Sequence, residues 1–187
     1  MRIISGSHKG RVLHPPEGLP VRPTTDMAKE SLFNILNNYI DFEEVKVLDL
    51  FAGTGNISLE FASRNATMVT SVDVNGRCID YISKMAAEFK FINLSAIRAN
   101  VFAFLARPAG SYDVIFADPP YDLGNRERVP ELIFENRWLV EGGWFILEHD
   151  KNINFKDHPY FSEERRYGRI HFTFFRKTAS EATENPA

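Results

Sequence analysis

Apolar positions along this chain fall into short compact blocks separated by longer stretches with helical spacing. Residues 45–51, 68–72, 95–98, 112–117 and 144–148 form runs of the length of buried strands. Between them, 56–63, 75–89, a short segment between 98 and 112, and a stretch near 128–135 carry the spacing of helices. Thr24 or Thr25 is placed to cap an earlier helix reaching about Asn38, in which Met27, Leu32, Phe33, Ile35 and Leu36 make one apolar face. Alternation of this kind predicts an α/β, Rossmann-like fold: a mostly parallel sheet with helices on both faces. Two final runs, 161–167 and 170–176, are split at Gly168 and predict an antiparallel C-terminal hairpin that brings the sheet to seven strands.

The ends follow a different pattern. Residues 1–23 are punctuated by Gly and Pro, and Ile3-Ile4 and Val12-Leu13 flank Gly6 and Gly10, which predicts a short N-terminal β-hairpin arm. Residues 178–187 are polar, end in Asn185-Pro186-Ala187, and predict a disordered tail. The whole of 1–177 then reads as a single domain. With 187 residues, 44% hydrophobic and 25% charged, the chain has the composition of one compact α/β unit. It has no internal repeat, no apolar run approaching 18 residues and no signal-peptide pattern at Met1-Arg2, so neither secretion nor a membrane partner is expected. The single cysteine, Cys78, falls in a helix as a packing residue, and a cytoplasmic location is expected. His8, His14, His149, His158 and His171 are scattered without metal-ligand spacing, so no metal is expected. Glu148 and His149 stand at a strand end, where ligand crevices form in parallel sheets, although a histidine with no evident partner is more often a packing residue.

Candidate chemistry enters at the end of the first strand. Asp49-Leu50-Phe51-Ala52-Gly53-Thr54-Gly55 runs from a buried strand through a glycine turn into a helix start. Glycines let the backbone approach a ligand, and a helix N-terminus offers N–H groups without intrahelical partners. Ser58 stands where a third glycine of the dinucleotide pattern would be, so the turn alone is a weak signal. Its context strengthens it, because the second strand ends in Asp73, twenty residues after Gly53, where an acid accepts both hydroxyls of a ribose. The competing structural role for Asp73 is to cap the next helix, which Asn75 also fits. Asp49 separates the possible cofactors, since a carboxylate inside the first strand opposes a pyrophosphate and suits a positively charged ligand.

Asp118-Pro119-Pro120-Tyr121 follows the run 112–117. Two prolines remove two backbone donors and fix φ twice, leaving rigid carbonyl oxygens. With Asp118 these oxygens can accept hydrogen bonds from an exocyclic NH2, and Tyr121 offers a flat face for an extruded base. A solvated turn with a capping Asp is the plain alternative.

With these motifs the chain resembles class I S-adenosylmethionine-dependent methyltransferases, and over residues 1–177 it resembles the RsmD-like enzymes that methylate a guanine N2 amino group in 16S ribosomal RNA. The marks are Met1-Arg2-Ile3-Ile4-Ser5-Gly6, Arg22-Pro23-Thr24-Thr25-Asp26, Glu30-Ser31-Leu32-Phe33-Asn34, Asp49 to Gly55, and Asp118 to Tyr121. The resemblance implies that Asp49, Phe51, Gly53, Gly55, Asp73 and Asn100 bind S-adenosyl-L-methionine. It also implies that Asp118, Pro119 and Tyr121 position the base for direct transfer without a covalent enzyme intermediate. Two positions depart from the family, Asn65 standing for a glycine and Asn100 for an aspartate. The residues themselves leave open an adenine-N6 or other amino methyltransferase, a nicotinamide oxidoreductase, and a non-catalytic RNA-binding protein.

Charge bears on the partner. Net charge is −3, yet Arg2, Lys9, Arg11 and Arg22 face Glu17 alone before Asp26. From residue 151 to 177, Lys151, Lys156, Arg165, Arg166, Arg169, Arg176 and Lys177 outnumber Asp157, Glu163 and Glu164. Basic ends around an acidic middle predict a local phosphate-binding surface for ribosomal RNA or the small ribosomal subunit. Lys9 and Arg11 at the turn of the arm, with Arg22, are the candidate RNA contacts.

Overall fold

A computed structural model describes residues 1–19, 25–107 and 110–178. Arg22 and the part of the tail beyond residue 178 lie outside the described residues. The strands are β1 Lys46–Leu50, β2 Met68–Asp73, β3 Leu94–Arg98, β4 Tyr112–Ala117, β5 Leu139–His149, β6 Phe161–Tyr167 and β7 Ile170–Arg176. The helices are α1 Asp26–Leu36, α2 Asn56–Ser63, α3 Gly76–Glu88, α4 Val101–Leu105 and α5 Arg128–Glu135. All seven strands form one sheet in the order β3-β2-β1-β4-β5-β7-β6. Neighbours from β3 to β5 are parallel, and β7 runs antiparallel to both β5 and β6.

Side-chain alternation sorts the core into two layers. Val47, Val114, Phe116, Trp144 and Ile146 face α1, α2 and α3. Leu48, Leu50, Ile115, Phe145 and Leu147 face α4 and α5. Local signals set the helix starts as the sequence predicts: Thr25 accepts from the Ala28 N–H at 3.2 Å, and Asn75 accepts from the Arg77 N–H at 3.0 Å. Asn65, standing for glycine after α2, takes φ +64°, a left-handed conformation that Asn tolerates better than most residues. Cys78 is fully buried, and burial followed by the charge of Asp73 pushes its thiol up to about 11, which suits packing and not nucleophilic chemistry.

Two elements differ from expectation. β5 begins at Leu139, before the expected residue 144, because it continues through Gly142 and Gly143 with a register shift against β4 between Tyr112 and Val114. Gly142 sits at φ +76°, so the glycine pair that looks like a strand break is a bulge within a strand. The N-terminal arm is not a regular hairpin. It has a single antiparallel bridge, Arg2 with Val12, supported by Ile3 N–H to Arg11 O at 2.9 Å and Gly10 N–H to Ile3 O at 2.8 Å.

The arm also bonds to α2. Ile4 and Ser5 N–H donate to the Glu60 carboxylate at 2.8 and 3.0 Å, and Ser7 N–H donates to Ser63 O at 2.7 Å. Gly6 makes this approach possible: at φ +81°, a Cβ there would stand 1.8 Å from Ser63 O. His8 packs its ring against Phe89 and Phe91 at 5.0 and 4.7 Å.

Beneath the arm lies a buried ion pair. Lys29 of α1 and Glu60 of α2 have fully buried side chains 3.4 Å apart, and Lys29 Nζ also donates to Arg2 O at 2.6 Å and to Asn56 Oδ1 at 2.8 Å. Arg64 adds a bond to Glu60 at 3.0 Å. Burial pushes the Lys29 pKa down, with the Glu60 charge opposing it. Removing Glu60 strands a buried cation and two N–H groups of the arm. Glu60→Ala should therefore cost about 3 to 5 kcal/mol in urea unfolding at pH 7, and a loss below about 1 kcal/mol would show that water can replace the carboxylate.

Candidate active site

Strand order reverses at β1: β2 and β3 lie to one side, β4 and β5 to the other. Loops leaving the carboxyl ends of β1 and β4 therefore part and open a crevice. A cavity of about 1140 Å3 fills it, lined by the segments after β1, β2, β3, β4 and β5 and by the β6–β7 turn.

One half of the cavity is built around β1 and β2. Asp49, only 2% exposed, accepts from the Ser58 N–H at 3.0 Å and from the Ser58 hydroxyl, and Ser58 accepts from Ser71 Oγ at 2.6 Å. Ser58 lies in the first turn of α2, so a carboxylate from inside the sheet occupies part of the helix N-terminus where an anion would otherwise bind. Burial raises the Asp49 pKa to about 7, partly offset by the Ser58 hydrogen bonds and reinforced by Asp73. Phe51 holds φ +58°, a conformation costly for a bulky side chain, and packs edge-on to Phe102 at 6.3 Å. Gly55, at φ +73°, leads into α2 where a Cβ would come 2.7 Å from Ile82.

Asp73 is 8% exposed and spans the turn, its carboxylate accepting from Gly53 N–H at 2.8 Å and Asn75 N–H at 2.7 Å. Capping of α3 falls to Asn75, which leaves Asp73 to shape the glycine loop and face the cavity. Asn100 also lines the cavity and caps α4 through Oδ1, accepting from Ala103 N–H at 3.1 Å. Among the described residues, neither Asp49 nor Asp73 forms an ion pair. Such a wall accommodates a ligand with positive charge and hydroxyl groups, and it repels a pyrophosphate.

The other half follows β4 and β5. Asp118 and Pro119 sit at the end of β4, with Tyr121 37% exposed at the mouth. A bond from Leu123 N–H to Pro120 O at 2.9 Å closes the turn. Glu148, 4% exposed, and His171, 8% exposed, contribute from β5 and β7. His149 points elsewhere: its ring nitrogens meet Asp150 O and Thr173 Oγ1, each at 2.7 Å, and burial lowers its pKa. It is a packing histidine.

Arg126 is the residue the sequence did not reveal. It lies 8% exposed in the polar stretch 124–128, donates to Tyr121 O at 2.6 Å and to Asp150 Oδ2 at 3.1 Å, and stands 5.7 Å from the Tyr121 ring centre. A single charged side chain thus holds the acidic tetrapeptide turn to the end of β5. Burial opposes ionisation of Asp150, but the Asn152 N–H and Arg126 outweigh it and keep the carboxyl below its ordinary range.

The candidate residues divide in space. Asp49, Phe51, Gly53, Asp73, Asn100, Asp118, Pro119 and Tyr121 all line one cavity, with Gly55 at the adjoining start of α2. Lys9 and Arg11 do not join them, because the arm's turn docks on Ser63 at the far end of α2, roughly 10 Å along the helix from Asn56 at the cavity.

Known proteins resemble this chain over most of its length. The family model described as "Conserved hypothetical protein 95" matches residues 1–176. The chain is 33% identical over 150 residues to ribosomal RNA small subunit methyltransferase D of Escherichia coli, covering 80% of this chain and 75% of that one. It is 34% identical over 156 residues to the protein of that name from Haemophilus influenzae, covering 81% and 80%. Among solved structures, the Escherichia coli protein yhhF, provisionally described as a methyltransferase, aligns with a TM-score of 0.85 and 31% identity over 96% of this chain and 98% of that chain.

Removing Arg126 should loosen the tetrapeptide turn directly. Arg126→Ala loses charge-assisted hydrogen bonds worth about 1.5 to 3 kcal/mol, readable in urea unfolding, and should speed amide exchange over residues 121–128. Unchanged exchange there would show that the prolines alone hold the turn.

Proposed function

The chain belongs to the RsmD-like family of methyltransferases, and on that premise we propose that it transfers a methyl group from S-adenosyl-L-methionine to the N2 amino group of a guanine in 16S ribosomal RNA of the small subunit. The observation that carries this reading is the shared cavity, in which an acidic glycine-loop half meets the Asp118-Pro119-Pro120-Tyr121 half. Its volume of about 1140 Å3 exceeds the roughly 300 to 1,000 Å3 of an ordinary ligand pocket, which supports a site for a cofactor and a base together. Ribosomal RNA as substrate comes from the relatives' names, and guanine N2 from the full-length family resemblance. A nicotinamide cofactor does not fit, because its pyrophosphate would face Asp49 at the start of α2.

Asp49 and Asp73 answer the positive charge and ribose hydroxyls of the cofactor, Phe51 and Asn100 flank its adenine, and Gly53 and Gly55 keep the backbone clear. When bound, S-adenosyl-L-methionine supplies a methyl group already activated on a sulfonium. Everything else is positioning. Asp118 and the Pro119 carbonyl accept the two N–H bonds of the guanine amine, which turns its lone pair toward the cofactor half, and Tyr121 stacks on the ring. Such orientation is worth up to about 7 to 11 kcal/mol of barrier. Hydrogen bonds to Asp118 also stabilise the charge that develops on the amine, which then loses one proton to water.

Lys9, Arg11 and Arg22 remain proposed contacts for RNA phosphates farther from the modified base. The same reading places the protein in the cytoplasm with ribosomal subunits. Among the described residues no helix is long and apolar enough to cross a membrane, and no group of side chains could hold a metal ion.

Separate variants should separate the two halves. Asp73→Ala should weaken cofactor binding by about 1.5 to 3 kcal/mol in calorimetry. Asp118→Ala should leave that affinity nearly intact while lowering kcat for methyl incorporation into 16S RNA by about 100- to 1000-fold. Equal loss of binding and turnover in Asp118→Ala would overturn the base-positioning role.

Acid dependence gives an independent check. A positively charged ligand favours ionised Asp49, whose pKa in the free protein is about 7. Cofactor affinity should therefore fall as pH drops from about 7 to 5.5, by up to about tenfold per pH unit, with proton release on binding. Asp49→Asn should bind more weakly at pH 7.5 and show a flat profile, and an unchanged slope would separate Asp49 from the cofactor charge.

A further inference from the structure

Carboxyl groups make up most of the charged side chains in the cavity lining, which takes in Asp49, Asp73, Asp118, Asp122, Glu148 and Asp150. Among the described residues, the only Lys or Arg side chains in that lining are Lys151 and Arg169. Both come from the same end of the sheet. Lys151 follows shortly after β5, whose last residue His149 pairs with His171 at the start of β7. Arg169 occupies the two-residue turn between β6 and β7, across which Tyr167 pairs with Ile170. Gly168 takes the first place in that turn at φ +65°, where a two-residue hairpin needs glycine, and has open space around it. A short, pinned turn thus presents Arg169 at a fixed place on the cavity rim.

Neither Lys151 nor Arg169 is neutralised by an ion pair among the described residues, and both are exposed. The neighbouring arginines behave differently, since Arg165 pairs with Glu163 and Arg166 pairs with Glu164 at 2.7 Å. We propose that Lys151 and Arg169 bind the RNA phosphates on either side of the nucleotide whose base enters the cavity. This deepens the RNA reading above and rests on it. A base turned out of its strand goes into a pocket while its flanking phosphates stay at the mouth. Phosphates are repelled by the carboxylates inside and held by the two cations at the rim. Those contacts fix the register of the strand without reading its sequence.

The test uses the full chain, unmethylated small ribosomal subunits and 16S RNA, with methyl incorporation and filter binding across a salt series. The Lys151→Ala/Arg169→Ala double variant should raise KM for RNA, keep its cofactor affinity, and lower the slope of log K against log salt by about 1.4 to 1.8. Between 50 and 200 mM salt the parent would then lose about 7- to 12-fold more affinity than the variant. Arg165→Ala/Arg166→Ala removes the same formal charge and should keep the parental slope. Parental KM and slope in the first double variant, or an equal fall in both, overturns the phosphate role while the methyltransferase reading stands. A parent chain that binds the cofactor but methylates neither subunits nor RNA overturns both.

Discussion

A parallel strand whose two neighbours are reached from opposite faces of the sheet leaves a gap above its carboxyl end, and β1 is that strand. The chain leaves β1 through α2 on one face to form β2, while β4 is entered from α4 and left through α5 on the other. Among the described residues, most of the groups around that gap come from its two lips, the segments leaving β1 and β2 on one side and β4 and β5 on the other. Everything else in the fold stabilises those lips: the packed layers fix β1 and β4, and the Lys29–Glu60 pair holds α1, α2 and the arm to one another. Through Asn56, that pair also reaches the cavity wall.

The start of α2 shows how a familiar turn becomes selective. Glycines in a strand-to-helix turn are common to many nucleotide folds, and by themselves they say little about charge. Here Asp49 satisfies Ser58 from inside the sheet, so the helix end is met by a carboxylate that belongs to the protein. On the proposed reading, glycine geometry governs how near the cofactor comes, and the aspartate favours its positive charge.

Much of this was legible in the sequence, for physical reasons. α2, β4, α5 and β7 have the bounds their apolar periodicity predicts, because each packs a face into the core, and β6 has its predicted bounds as the half-exposed partner of β7. Asp49, Asp73 and Asp118 stand out because a carboxylate at a buried strand needs a reason to be there. Where the pattern failed, geometry was carried by residues without periodicity. Gly142 and Gly143 hide a bulge inside β5. Phe51 gives no sign in its neighbours of its left-handed backbone, and Arg126 sits among polar loop residues yet is almost wholly buried. The docking of the arm's turn on Ser63, away from the cavity, depends on a tertiary contact that a linear reading does not contain.

β6 closes one side of the sheet as an outermost strand. Such strands expose unpaired backbone groups that invite a strand from another molecule. Along β6, Glu163 and Arg165 pair with each other, as do Glu164 and Arg166, with exposed arginine side chains. A foreign strand laid against that edge would have to strip water from a row of charges before gaining its first hydrogen bond. Whatever else those arginines meet, their place on the outer strand makes pairing through this edge of the sheet costly.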